Sequence, residues 1–462
     1  MISEIQKKII EKSIENSSDK DRQKVLNNNI SKYFLNVAET KLQFKNINLA
    51  KKRAGSIKHR VLNNLDKYLI EFEAGFTKRG GKVIWALDDQ QALDEIYNIL
   101  VKNDIKSLIK SKSLISNEIG LINFLKNKNI DVLESDLVDF INNSFDKNED
   151  SNNLTSLDYL SKEEIFQYVS QKYGISKNSN LNDIIRIISK IQKESIIKSE
   201  VSVVEGNFII SDIGGILISE NDGNSVLSSS TSKINIILAS IERILPNLLD
   251  LDLFIPLYST FSKGQKLTVY NTILTGPRQD NENDGPIEMY VILIDNNRTK
   301  VIEKKEQRKA MSCIQCGACS NFCPIYNIIG QKSYNSVYKG AIGSIITPFL
   351  KDTKDYNHLS YTTTLCGKCS EECPVNIPLH ELLLHNRNDF VNNKDLSYDE
   401  KILIWSWKKI NLSRKLMNLG SSNFKNRLIK HIFSNIWGSK RNLPKFSSKN
   451  FNQQWKDKSK NS

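Results

Sequence analysis

All seven cysteines of the chain fall in two short runs. The first reads Cys313-x2-Cys316-x2-Cys319-x3-Cys323, followed by Pro324; the second reads Cys366-x2-Cys369-x3-Cys373, followed by Pro374. Three thiolates at successive two-residue gaps, then a fourth beside a proline, is the bacterial ferredoxin spacing, in which the fourth cysteine serves the other of two clusters. The second run lacks its opening cysteine, and Thr363 stands in that place. A chain obeying this pattern must fold its two runs against each other, because each cluster draws ligands from both.

The crossover assigns Cys313, Cys316, Cys319 and Cys373 to one complete [4Fe-4S] cluster, termed here the closed cluster. Cys323, Cys366 and Cys369 remain for a second, open cluster with one corner lacking a thiolate. That corner admits two chemistries: a [3Fe-4S] cluster, or a [4Fe-4S] cluster whose last iron takes solvent, a hydroxyl such as that of Thr363, or a substrate oxygen. Zinc knuckles are the competing reading of CxxC pairs, but the x2, x2, x3 spacing ending in Cys-Pro belongs to iron–sulfur proteins. The opening residues MISEIQKKIIEKSIE alternate charge with apolar positions and do not read as a signal peptide. A cytoplasmic, reducing location is therefore expected, where thiolates stay available to metal and disulfides do not form.

With 462 residues the chain has room for two or three domains. Its greasiest stretch, Ile234 to Phe261, is interrupted by Glu242, Arg243, Asp250 and Asp252, so no transmembrane span is expected. The formal charge of +13 raises nucleic acid or an anionic membrane as partners. Lysine, asparagine and isoleucine are abundant throughout, however, so the charge reads as a general composition bias and no nucleic-acid partner is expected. Only the tail from Lys440 concentrates basic residues, against the single acid Asp457. It reads as a solvated end, with peripheral membrane contact as the alternative.

Residues 1–55 read as a helical arm, with Ile5, Ile9, Ile10 and Ile14 at helical spacing followed by a polar linker. Residues 56–300 read as an α/β domain. Helix through Tyr68 and Phe72, turn at Gly80-Gly81, strand Val83 to Trp85 and helix Ala92 to Leu100 set a rhythm. It continues through a strand at Ser107 to Ile109, a helix at Glu118 to Leu125 and a strand at Val132-Leu133, as in a parallel sheet wrapped by helices. A polar helical insert is expected at about 140–195, with patches at Glu163 to Val169 and Ile184 to Ile191. Strands follow at Asn207 to Ile210, Ile216 to Ile218, Ile234 to Leu238, Tyr270 to Leu274 and Met289 to Ile294. Residues 301–395 turn helical around the cysteines, and 396–462 form a helical, basic tail.

Longer phrases accompany the cysteines: KRGGKVIWA at 78–86, KSKSLISNEI at 110–119, IERILP at 241–246, LTGP at 274–277 and DGP at 284–286. They continue with CIQCGACSNFCPIY at 313–326, SYNSVYKGAIG at 333–343, LCGKCSEECPVNIPLHELLL at 365–384 and the tail's LPKFSSKNFNQQW. In this order they resemble the lactate utilization protein B family, the iron–sulfur subunit of a three-component bacterial system oxidising L-lactate. The resemblance implies an N-terminal lactate-utilisation domain, with an α/β fold akin to ribose-5-phosphate isomerases and CoA transferases, and an α-helical ferredoxin domain after it. It also implies two clusters with the same three-cysteine second run, and two partner subunits, proteins A and C. The chain departs from the family between about Phe140 and Glu200, where a low-complexity stretch replaces an expected proline- and histidine-bearing phrase.

Oxidation of lactate to pyruvate removes two electrons and two protons, whereas a cluster accepts one electron at a time. The expected role is an electron-transfer subunit of an L-lactate dehydrogenase complex, conducting to an unidentified acceptor. Another hydroxyacid is the alternative substrate; an iron–sulfur redox sensor or an assembly scaffold is the alternative class. No flavin or nicotinamide motif is present, and no catalytic residue is assigned. His380 and His385 on the helix after Pro378, and His358 before Thr363, could serve acid–base or ligand roles but fit ordinary packing positions as well. Lys110 and Lys112 could hold an anion, although solvated lysine is the ordinary reading. Gly214, Gly215, Gly276 and Gly285 read as turns, and Pro324 and Pro374 as setting the backbone after each bridging cysteine.

Overall fold

The computed structural model describes residues 4–136, 181–392, 398–417, 419–437 and 442–460. The chain divides into two compact units, Ile2–Asp389 and Phe390–Ser462. Among its described residues the first contains ten strands: β1 (Lys82–Ala86), β2 (Ser107–Lys110), β3 (Asp131–Glu134), β4 (Val201–Glu205), β5 (Phe208–Ile210), β6 (Gly215–Glu220), β7 (Ile234–Ser240), β8 (Ile244–Leu245), β9 (Tyr270–Leu274) and β10 (Glu288–Ile294).

Six of them form a parallel sheet in the order β1-β10-β7-β4-β2-β3. The central strand β7, Ile-Asn-Ile-Ile-Leu-Ala-Ser, is buried along its whole length, as a strand covered on both faces must be. One face is covered by the helix Asp89–Lys102, which presents Ala92, Leu93, Ile96, Ile99 and Leu100 at helical spacing. Its start is fixed by Asp88, whose carboxylate accepts the N–H of Gln91 at 2.8 Å.

The other four strands form a second sheet, β8-β5-β6-β9, against the opposite face. Here the strand period of two decides the layering. Ile209, Ile216 and Ile218 point into the core shared with the parallel sheet. Phe208, Ile210 and Leu217 point the other way, into a core that also contains Cys319, Ile342, Cys373 and Val375. Each such large side chain contributes about 1.5–3 kcal/mol through burial, so the cysteine region is fastened to the α/β region by a continuous apolar layer.

A buried polar knot joins the same regions. Arg298 donates to both carboxylate oxygens of Glu118, at 2.8 and 2.7 Å, and pairs through Nε with Glu242 at 2.9 Å. Tyr338, from the cysteine region, accepts from Arg298 at 2.9 Å and donates to Glu118. Asn296 completes the shell on Glu118 at 2.6 Å. Burial alone would raise the Glu118 pKa, but the Arg298 charge and these hydrogen bonds hold it below the usual carboxylate value.

The arm differs from the polar linker expected after its first turns. Helices Glu4–Ser18, Lys20–Lys41 and Ile47–Asn63 follow one another. The middle helix is poor in intrinsic helix formers but is held by its C-terminal half: Val37 is buried, Phe34 stacks on Phe322 with ring centres 4.6 Å apart, and Lys41 pairs with Glu372 at 2.5 Å. Tertiary packing overrides propensity there. The helix expected from Glu118 is two short ones, Leu114–Glu118 and Leu121–Asn127, parted at Gly120 with φ 72°. The patch Ile184 to Ile191 lies within the helix Leu181–Lys198, whereas Glu163 to Val169 lies outside the described residues. Gly214, with φ 53°, lies where the turn before β6 meets the helix Leu65–Lys78; a Cβ on Gly214 would fall 2.4 Å from the Gly75 carbonyl carbon.

The second unit carries the helices Tyr398–Leu412, Arg414–Met417, Ser422–Trp437 and Phe451–Lys460. The last of these lies in the expected solvated end, and its described side chains are exposed. Lys449 bridges to Asp457 at 2.7 Å, and Phe451 stacks on Trp455. Among the described residues no helix is long and apolar enough to cross a membrane.

Candidate metal centre

Both cysteine runs trace the same backbone path. Gln315 (φ 55°) and Leu365 (φ 54°) adopt the left-handed conformation immediately before the second cysteine position, and Gly317 (φ 77°) and Gly367 (φ 79°) adopt it immediately after. Each glycine then opens a one-turn helix, Ala318–Asn321 or Lys368–Glu371. In each, the following serine N–H closes onto the glycine carbonyl at 3.0 Å. Left-handed backbone is uncommon for glutamine and leucine and is retained only where the surroundings impose it. Tight folding around a bulky group explains its occurrence twice at equivalent positions.

This path sorts the cysteines. Cys313, Cys316, Cys319 and Cys373 line one cavity, with about 340 Å³ of atom-free space, among Ile314, Ala318, Ile342, Val375, Ile377 and Leu379. Cys323, Cys366 and Cys369 line another, with about 400 Å³, together with Thr363, Tyr334, Ser344 and His380. Cys373, although in the second run, therefore faces the first cavity, and Cys323 the second. The cavities are neighbours: negative charge on Cys369 opposes ionisation of Cys319. Among the described residues no three His, Cys, Asp or Glu side chains gather tightly enough for a single metal ion.

The donor set tests whether a cluster fits. Burial pushes the Cys313 thiol up to about 12, with Cys373 adding to it, and pushes Cys369 up to about 11. Cys316 and Cys319 are driven further in the same direction by the same cause. The residues lining the first cavity carry no cationic side chain, so four thiolates there require a positively charged centre between them. Backbone N–H groups already aim at sulfur: Gln315 at Cys313 (3.3 Å), Ile377 at Cys373 (3.4 Å) and Tyr326 at Cys323 (3.5 Å). Such bonds favour the thiolate form and tune cluster potential. Both cavities fit iron–sulfur clusters.

The arm covers this region from outside. Lys51 donates to the Glu371 carbonyl, and a Cβ on Gly55 would fall 2.7 Å from the Val375 carbonyl oxygen, just beyond Cys373-Pro374. Pro324 occupies the first turn of the helix Pro324–Ile329, where its missing N–H costs nothing.

Of the three histidines singled out by sequence, only His380 lines a cysteine cavity; its Nδ1 hydrogen-bonds with Ser370 Oγ at 2.7 Å. His358 is half-buried, with its pKa lowered by burial, and lines neither cysteine cavity; nor does His385. Lys110 is buried in an ion pair with Glu134 at 3.0 Å, whereas Lys112 is exposed at the edge of a separate, larger cavity. Sequence reading missed the Glu118, Glu242, Arg298 and Tyr338 knot and the buried Lys58. The signal available was acidic and basic residues inside otherwise apolar phrases such as IERILP.

Fold and site define a class: an α/β domain continued by a two-cluster iron–sulfur module. The LUD domain family model matches residues 69–294, and the 4Fe-4S dicluster domain model matches residues 309–377, which include all seven cysteines. The chain is 34% identical over 338 residues to lactate utilization protein B of Geobacillus sp. strain WCH70, covering 73% of this chain and 71% of the relative. Against lactate utilization protein B of Anoxybacillus flavithermus it is 34% identical over 366 residues, covering 79% and 77%. A crystal structure of a DUF162 family protein from Deinococcus radiodurans superimposes on 50% of this chain and 98% of its own, at 12% identity and a TM-score of 0.28, too slight a likeness to carry an argument. The chain belongs to the lactate utilization protein B family.

Proposed function

We propose that the chain is the electron-transfer subunit of a complex that oxidises L-lactate to pyruvate, acting with two partner subunits, the family's proteins A and C. The observation that carries this reading is the sorting of seven cysteines into two adjacent cavities, four in one and three in the other. Cys313, Cys316, Cys319 and Cys373 hold the closed [4Fe-4S] cluster. Cys323, Cys366 and Cys369 hold the open one, a [3Fe-4S] cluster or a [4Fe-4S] cluster with a non-cysteine fourth ligand at the Thr363 corner. Bound there, the clusters supply one-electron transfer. The chain's own residues do the rest: apolar side chains surround the closed site, N–H groups stabilise the thiolates, and the arm packs beside the loop that carries Cys373. The names of the relatives support lactate as the oxidised substrate.

Anaerobic purification tests this. The protein is expected to be brown, with acid-labile sulfide and about six to eight irons per chain, and to be reduced by L-lactate when the partner subunits are present. A colourless protein holding zinc, or clusters indifferent to L-lactate in the full complex, would refute it. Reduction by glycolate in preference to lactate would reassign the substrate.

A further inference from the structure

A cavity larger than either cysteine site lies apart from them. It contains about 1480 Å³ of atom-free space and opens at the carboxyl edge of the parallel sheet. Strand order explains its position. From β2 the chain proceeds outward to β3, whereas from β4, the neighbour of β2, it proceeds the opposite way to β7 and β10. Loops leaving the carboxyl ends of β2 and β4 therefore diverge, and such a switch point is where open α/β sheets bind ligands. Lys112 and Leu114 follow β2, Glu205 ends β4, and Arg243 follows β7; all four line the cavity. The opposite wall includes Tyr258 and Lys263, from the helix Leu251–Lys263. The cavity also reaches Ile314 and Gln315, between Cys313 and Cys316.

Its polar groups are incompletely used. Arg243 is buried; Nη2 pairs with Glu205 at 2.8 Å and Nη1 donates to the Gly206 carbonyl at 3.2 Å, leaving Nε without a partner. Gln315 Oε1 is likewise buried and unpaired. Glu205 is already committed, accepting from Arg243 and from the Ile115 N–H at 3.2 Å. The other carboxylates that line the cavity are also engaged: Glu220 accepts from the Ser225 and Val226 N–H groups at 3.1 and 2.9 Å, Asp136 pairs with Lys112 at 3.9 Å, and Asp222 accepts from Asn224 at 3.1 Å. Beside them stand Arg243, Lys263 and the Tyr258 hydroxyl as donors, and Gln315 Oε1 as an acceptor. A carboxylate satisfies the first set and an adjacent hydroxyl the second.

We propose that this cavity binds a small α-hydroxycarboxylate, placing it beside the loop of the closed cluster and not at the vacant corner of the open one. The inference rests on the electron-transfer reading for the identity of the acid, and the site accounts for how a donor could lie near a cluster whose four corners are all occupied by cysteine.

The test is calorimetric titration of L-lactate into the full chain under anaerobic conditions, with iron and sulfide counted on the same sample. Saturable binding is expected, weakened roughly tenfold by Tyr258→Phe and by Lys263→Met, as loss of one hydrogen bond or one charge contact implies. Lys263 is exposed and Tyr258→Phe preserves shape, so unchanged iron content in both variants is expected. Unchanged affinity in both variants overturns the proposal, as does a loss of binding in Thr363→Ala that the cavity variants do not share. Absence of lactate binding with both clusters in place overturns it while leaving the electron-transfer reading intact. Saturable, variant-sensitive binding to a chain that holds no iron supports it while removing that reading.

Discussion

Thr363 stands to Leu365 as Cys313 stands to Gln315. The Leu365 N–H donates to Thr363 Oγ1 at 3.0 Å, and the Gln315 N–H donates to Cys313 Sγ at 3.3 Å, each from a residue in left-handed backbone. The hydroxyl thus lies at the second cavity as the sulfur lies at the first. Replacing the oxygen by sulfur should keep the local hydrogen bond and complete a fourth thiolate. Thr363→Cys is therefore expected to give a fully loaded second cluster and to change one of two paramagnetic signals, with the other untouched. An unchanged spectrum sinks the assignment of this corner.

Crossing of the two runs makes a second prediction. Because Cys373 shares a cavity with Cys316, and Cys323 with Cys366, Cys373→Ser should deplete the same spectroscopic signal as Cys316→Ser. Cys323→Ser and Cys366→Ser should deplete the other. Grouping by position in sequence instead, with Cys373 following Cys366, would contradict the cavity assignment.

Glu118 and Arg298 make a third. Both are almost wholly buried, and Glu118 is the bidentate partner of a guanidinium that also touches Glu242 and Tyr338. Glu118→Gln breaks the bidentate pair but leaves Arg298 its contact with Glu242, so it is expected to cost about 3 kcal/mol, the lower end for a broken buried pair. Tyr338→Phe removes hydrogen bonds but no formal charge and is expected to cost about 1–2 kcal/mol. Urea unfolding of the two variants checks the order; a smaller loss for Glu118→Gln than for Tyr338→Phe refutes it.

Much of this architecture is readable from residues alone, for definite reasons. Strands and helices show through hydrophobic period, as in Ala92, Leu93, Ile96 and Leu100, and the cysteine runs show because ligand spacing is dictated by the size of a cluster. The lactate utilization protein B relationship follows from phrases such as KSKSLISNEI, and the family match supports it. The knot is not readable, because residues 118, 242, 298 and 338 lie in four separate segments that meet only in the folded chain. Nor is the large cavity, which depends on β4 inserting beside β2, a matter of strand order and not of period. Gln315 and Leu365 carry no glycine to announce their positive φ. The helix Lys20–Lys41 is hidden for the opposite reason: its composition reads as a linker, and only contacts such as Phe34 on Phe322 make it a helix.

The close approach of the arm to the first cavity makes a fourth prediction. A methyl group on Gly55 would collide with the Val375 carbonyl oxygen, and Val375 lies two residues after Cys373. Gly55→Ala must displace either the helix Ile47–Asn63 or the loop that positions Cys373, since the obstructing atom is backbone. Faster loss of iron to a chelator is expected, confined to the signal that Cys316→Ser removes. Chelation at the parental rate would show that the helix yields and the cysteine loop does not.

Lys58 carries a pH dependence of determinate sign. It is completely buried, and its ammonium donates to the carbonyls of Glu242 and Ile244. Burial lowers its pKa from 10.5 to about 8, against the opposing pull of Glu242 and Cys313. Below pH 8 both folded and unfolded chains carry this proton, and the folded chain bears the full cost of a buried charge. Between pH 8 and 10.5 the folded chain releases the proton while the unfolded chain keeps it, so this group's contribution to stability rises with pH, by up to about 1.4 kcal/mol per unit. Cysteine and tyrosine ionisation act in the same range, and comparison with Lys58→Met cancels them. The stability of the parent relative to Lys58→Met should therefore increase from pH 8 to pH 10 in urea unfolding. A difference that stays level over that interval would mean that the buried ammonium keeps its proton, held by the negative charge of the cysteinates nearby.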